Sequence, residues 1–79
     1  MNKKTYIAIM SGQSDNNISY ADFQNLILDL GFTLQRQKGS HTMYYNKGIG
    51  EFLNIQKDGA KAKAYQVKQL RQIITKHNL

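Results

Sequence analysis

The 79-residue chain predicts a single α+β domain, a two-layer sandwich in which helices cover one face of an antiparallel sheet. Three observations carry this. Two segments, around 19–30 and 64–77, space their apolar residues at helical intervals. Three short runs rich in β-forming residues lie between them, separated by glycine-containing turns. The two helical stripes and one apolar strand face can bury one another, and a domain this small exposes enough surface that its core must be economical.

Residues 4–10 are ambiguous by periodicity, because Tyr6, Ile9 and Met10 fit a helical stripe while Thr5, Ile7 and Ile9 favour strand. A short extra N-terminal helix is expected there, followed by a polar loop at 11–17. The next helix is clearly marked. Ser19 is an N-cap with Asp22 three residues on, and Phe23, Leu26, Ile27 and Leu30 form one stripe. Gly31 ends it, where a left-handed residue is easiest for glycine.

Strands are expected at 32–37, 41–46 and 51–56. Lys38-Gly39-Ser40 forms the first turn and Asn46–Gly50 the second. Phe32 and Leu34 should share one side of the first strand, and Leu53 and Ile55 should face the core from the third. Tyr44 and Phe52 are expected on the sheet face away from the helices. Residues 57–63 read as a basic loop. The closing helix, 64–77, puts Val67, Leu70, Ile73, Ile74 and His77 on one face. His77 then serves as a helix-end imidazole that caps carbonyls and suits the dipole.

The net charge is +6 and unevenly divided. Lys3 and Lys4 against Asp15, Asp22 and Asp29 leave residues 1–35 at −1, whereas residues 36–79 carry nine Lys/Arg against Glu51 and Asp58, a net +7. The second part of the chain therefore builds a cationic surface suited to a polyanion. Cysteine is absent, which excludes a disulfide framework and thiolate metal ligation. Histidines and acids at metal-ligand spacing are absent too, so neither a metal nor another cofactor is expected. The apolar runs are too short to span a bilayer, and the basic start carries no cleavage pattern, so the expected place is the cytoplasm and not a membrane.

The chemistry concentrates at Arg36-Gln37-Lys38-Gly39-Ser40-His41. Imidazole is the side chain best suited to proton transfer near neutral pH. Arg36 and Lys38 beside it can attract and orient a phosphodiester, and backbone amides around Gly39 and Ser40 can stabilise developing charge. Lys57, Lys61 and Lys63 are candidates for tracking the same backbone. Strict alternation groups His41 with Met43 and Tyr45, so its exposure depends on which way Met43 faces. RNA brings its own nucleophile, the 2′-OH, and one positioned imidazole contributes about 10²–10⁴-fold to its cleavage.

The α-β-β-β-α order is also that of double-stranded RNA-binding domains. Gly31-Phe32 followed by Arg36-x-Lys38-Gly39-Ser40-His41 resembles the signature of the HicA toxins of bacterial type II HicA–HicB toxin–antitoxin systems. The resemblance runs from the helix before Gly31 to the closing helix with Gln69-Leu70-Arg71-Gln72-Ile73-Ile74. It implies a double-stranded-RNA-binding-domain-like fold and a ribosome-independent endoribonuclease, or mRNA interferase. It further implies that His41 is catalytic, that the substrate is single-stranded or loosely structured mRNA, and that a HicB antitoxin encoded beside it covers the site. Many members carry Pro-x-His after the third strand, whereas this chain reads Asn54-Ile55-Gln56-Lys57-Asp58-Gly59. Two other classes fit the charge: a non-catalytic module that binds duplex RNA by shape, and an interaction domain for an acidic protein.

Overall fold

A computed structural model describes residues 1–79. The elements run α1 (Lys3–Ser11), α2 (Tyr20–Asp29), β1 (Thr33–Lys38), β2 (His41–Asn46), β3 (Glu51–Asp58), β4 (Lys61–Ala62) and α3 (Ala64–His77). The four strands form one antiparallel sheet in the order β1-β2-β3-β4. The helices cover one face and leave the other open, because alternate residues of β2 and β3 are buried and their neighbours are not. No helix is long and apolar enough to cross a membrane.

The N-terminal helix forms as expected. The Asn2 side chain accepts from the Thr5 N–H at 3.1 Å, and Ile9 is fully buried. Ser19 caps α2 by accepting from the Asp22 N–H at 3.2 Å. At the other end, the Phe32 N–H donates to Ile27 O and the Gly31 N–H to Leu28 O, the paired bonds of a Schellman motif. Gly31 has φ 97°, and a Cβ there would lie 3.3 Å from Asn46 Nδ2, so both backbone and space call for glycine. Phe23, Leu26 and Ile27 of α2 meet Val67, Leu70 and Ile74 of α3 in a core that also takes Phe32, Leu53 and Ile55.

Three expectations need correction. Residues 57–63 are not one loop: β3 runs on to Asp58, and after a turn at Gly59 the strand β4 returns. Backbone bonds that no local pattern announces hold β4 in place, from Ala62 N to Ile18 O and from Tyr20 N to Ala60 O. Tyr44 is buried against the helices, where its hydroxyl accepts from Gln24 Nε2 at 3.1 Å; Phe52 does lie on the open face. Leu34 shares the helix side with Phe32 as alternation predicts, opposite Tyr44, yet it is exposed on the edge strand β1. His77 caps no carbonyl. Its Nε2 donates to Glu51 Oε2 at 2.8 Å and ties the end of α3 to the start of β3.

Beyond the short β3–β4 pairing, the outer edge of β3 is closed by a side chain. Buried Gln66, in the first turn of α3, accepts from the Gln56 N–H at 3.0 Å and donates to Asn54 O at 3.2 Å. Its amide takes the place of a neighbouring strand. Leucine at this position would leave both backbone groups without a partner. Gln66→Leu should therefore cost about 2 kcal/mol or more, read as a fall in the urea midpoint at unchanged m-value.

Arg71 fastens the N-terminal loop to α3. It forms two bonds to the Asp15 carboxylate, at 2.8 and 3.0 Å, and one to Ile9 O at 2.9 Å. Those hydrogen bonds hold the Asp15 carboxyl below the usual carboxylate range against an opposing effect of burial. The hydrogen bond from His77, aided by the charge of Lys76, does the same for Glu51. Each group binds a proton less readily in the native state than in the unfolded chain. The stability this gives is fully present above about pH 4–5 and is lost as pH falls through the lowered native values. Urea midpoints should drop between pH 6 and pH 3, with a shallower drop in Asp15→Asn, which starts from a lower midpoint.

Candidate functional site

His41 opens β2 on the open face of the sheet. Thr42, Tyr44 and Asn46 are buried and His41, Met43 and Tyr45 are not, so the residues grouped with Met43 face solvent. The imidazole is exposed and forms no hydrogen bond within the chain. Its cross-strand partners are Lys38 on β1 and Gln56 on β3. The turn between Lys38 and His41 has two residues, and the first, Gly39, has φ 59°, a conformation that suits glycine in a tight hairpin.

An irregularity in β1 aims the cations. Thr33 pairs with Tyr45 and Leu34 with Tyr44, but Arg36 pairs with Met43, so Gln35 is an extra residue in the ladder. Its side chain folds back onto Thr33, donating to Oγ1 at 2.8 Å. With unbroken alternation Arg36 and Lys38 would follow Leu34 to the helix side. The bulge turns both onto the face of His41.

The result is a groove of about 620 Å³ lined by Arg36, Lys38, Gly39, His41, Met43 and Asn54. It contains two cations, an imidazole and a carboxamide, and no carboxylate. Nowhere in the chain do three His, Cys, Asp or Glu side chains converge as a metal site would require. Chemically, the groove can hold an anionic group between the Arg36 and Lys38 side chains and present it to a free imidazole.

The remaining sequence-predicted residues do not line this groove. Ser40 lines a separate depression with Tyr20, Thr42 and Lys57, and its Oγ accepts from Gln56 Nε2 at 2.9 Å, while Lys63 Nζ donates to Gln56 Oε1 at 3.1 Å. Lys63 is thereby linked through Gln56 to the hairpin. Lys57 lies on the helix side, its ammonium 5.5 Å from the Tyr20 ring centroid. Lys61 donates to Asn17 Oδ1 at 3.0 Å. Neither Lys57 nor Lys61 lines the His41 groove. Sequence reasoning did not select Asn54 or Gln56. The signal that points to them is the alternation of β3, where buried Leu53 and Ile55 leave Phe52, Asn54 and Gln56 on the other face.

Comparison with known proteins gave no match to any family model, curated protein or solved structure.

Arg36→Ala and Lys38→Ala should each weaken binding to a polyanion. For an oligonucleotide or heparin, each substitution should lower the slope of log affinity against log salt by about 1. Lys61→Ala, in β4 at the opposite edge of the sheet and bonded to Asn17, should change that slope little.

Proposed function

We propose that this protein is a HicA-like mRNA interferase, the toxin of a toxin–antitoxin pair, which cleaves mRNA in the bacterial cytoplasm with His41 as its catalytic residue. The observation that carries this reading is an unpartnered imidazole set in a cationic, carboxylate-free groove beside Arg36 and Lys38. The sequence Arg36-x-Lys38-Gly39-Ser40-His41 supports it by resemblance to the toxin signature. The run α2-β1-β2-β3-α3 has the α-β-β-β-α order of double-stranded RNA-binding domains, to which α1 and β4 are additions.

The step asked of the site is modest. The ribose 2′-oxygen attacks the adjacent phosphorus, its proton passes to the His41 imidazole, and the P–O5′ bond breaks as the 5′-oxygen takes a proton. The products are a 2′,3′-cyclic phosphate and a 5′-hydroxyl. Arg36 and Lys38 neutralise charge on the phosphoryl oxygens as the phosphorane forms. His41, after taking the first proton, is the group placed to return one. The partner this reading requires is a HicB-like antitoxin that covers the groove, and an acidic face on that protein would complement it.

Induced expression of the wild type against His41→Ala tests the reading. The wild type should arrest growth and fragment transcripts. His41→Ala should do neither, with purified cleavage about 10²–10⁴-fold slower, while its fold and RNA affinity persist. Equal cleavage by the two proteins overturns the assignment of His41. Salt-dependent RNA binding without cleavage by either protein replaces the toxin with a binding module.

A further inference from the structure

We propose that Phe52, braced by Tyr45, is a base-stacking platform for an unpaired nucleotide of the same RNA strand whose backbone occupies the His41 groove. This rests on reading the groove as an RNA site, and it adds a second contact that makes single-stranded RNA the substrate class.

Phe52 is 58% exposed on a sheet whose other face is closed by helices. It pairs across the ladder with Tyr45, and their ring centroids lie 4.4 Å apart with planes inclined by 33°. Tyr45 is half-buried, so the pair is a supported aromatic surface, with the Phe52 ring outermost. Nothing in the fold covers that ring.

Its place relative to the cations gives it a use. His41 and Tyr45 are four residues apart on β2, about 13 Å along a strand. Met43 and Asn54, cross-strand partners, lie between the two ends. One strip of sheet therefore runs from phosphate-binding chemistry at the hairpin to a π-surface at the opposite end. Asp58, the one carboxylate on β3 that shares the parity of Phe52, lies beyond Gln56 at the end away from the ring. This pairing of a cationic track with an aromatic surface suits a polyanion that carries planar rings. Bases inside a duplex offer no free face, whereas unpaired bases do. A protein ligand would use the ring but has no need of the phosphate-binding end.

The test uses the full chain carrying His41→Ala, so that binding is read without cleavage. Its probes are a labelled single-stranded oligoribonucleotide and the same oligomer with abasic positions. Phe52→Leu keeps an apolar side chain and removes the ring. It should weaken binding of the intact oligomer by about 5- to 150-fold, leave the abasic oligomer unaffected, and leave the salt dependence unchanged. The chain contains no tryptophan, so Phe52→Trp introduces a sole indole reporter. Its fluorescence should be quenched by the intact oligomer and not by the abasic one, with affinity retained. Unaltered affinity in Phe52→Leu together with no quenching in Phe52→Trp overturns the platform and leaves the ring to a protein partner. The toxin reading is judged separately, by cleavage in the His41-containing protein. Loss of cleavage there would leave a stacking signature standing, and a missing stacking signature would leave cleavage standing.

Discussion

Thr42, Tyr44 and Asn46 form the buried side of β2, and the burial of these three side chains determines where His41 can be. Asn46 is the firmest of them. Its Nδ2 donates to Leu30 O at 3.0 Å and its Oδ1 accepts from the Gly48 N–H at 3.0 Å. One buried carboxamide thus satisfies the carbonyl of Leu30, just past the end of α2, and closes the β2–β3 turn. Tyr44 adds a bond from Gln24, and Thr42 lies 3.5 Å from the Tyr20 hydroxyl. A slip of one residue would place Met43 and Tyr45 against these partners, strand their polar groups and turn His41 inward. The imidazole is exposed because its neighbours on the strand are committed elsewhere.

The second determinant is local. Without the bulge at Gln35, β1 would send Arg36 and Lys38 to the helix side, and the groove would retain its imidazole but lose its cations. With it, register and bulge act on opposite strands of one hairpin, and Gly39 brings those strands together over two residues. The cations and the imidazole are therefore brought together within one hairpin, with Asn54 added from β3, although the orientation of the site is set by contacts reaching back to α2.

This division explains what could be read from the sequence. The limits of α2 were legible because Ser19 and Gly31 act through bonds within a few residues of themselves. The hairpin and the inward positions Leu53 and Ile55 were legible for the same reason. What escaped depends on distant partners. Lys57-Asp58-Gly59-Ala60-Lys61 has the composition of a loop, and β4 exists because Ile18 and Tyr20, far away in sequence, bond to it. Tyr44 belongs inward and not on the open face because it shares the parity of Asn46, whose partners lie on the helix side. His77 leaves the carbonyls of its own helix end because Glu51, 26 residues earlier, claims it. Leu34 obeys alternation yet stays exposed, since a strand pattern does not record where the covering helices stop.

The tethers that hold the domain together lie away from the open face. Arg71 binds Asp15 and Ile9 between α3 and the N-terminal segment, His77 binds Glu51 beneath the sheet, and Gln66 closes the outer edge of β3. Only the backbone carbonyl of Asn54, which Gln66 binds, belongs to a residue of the groove. His41, Arg36, Lys38 and Phe52 are exposed, and no side-chain bond to the core depends on them. An exposed leucine or phenylalanine can be tolerated by any small domain. On this sheet face the Tyr45–Phe52 pair adds about 0.2–1 kcal/mol to the fold, whereas the bare imidazole and the two cations turned outward by the bulge make no bond to the core. On the proposed reading these groups serve a ligand, and substitutions of the imidazole and the two cations should report on binding and chemistry with little loss of stability.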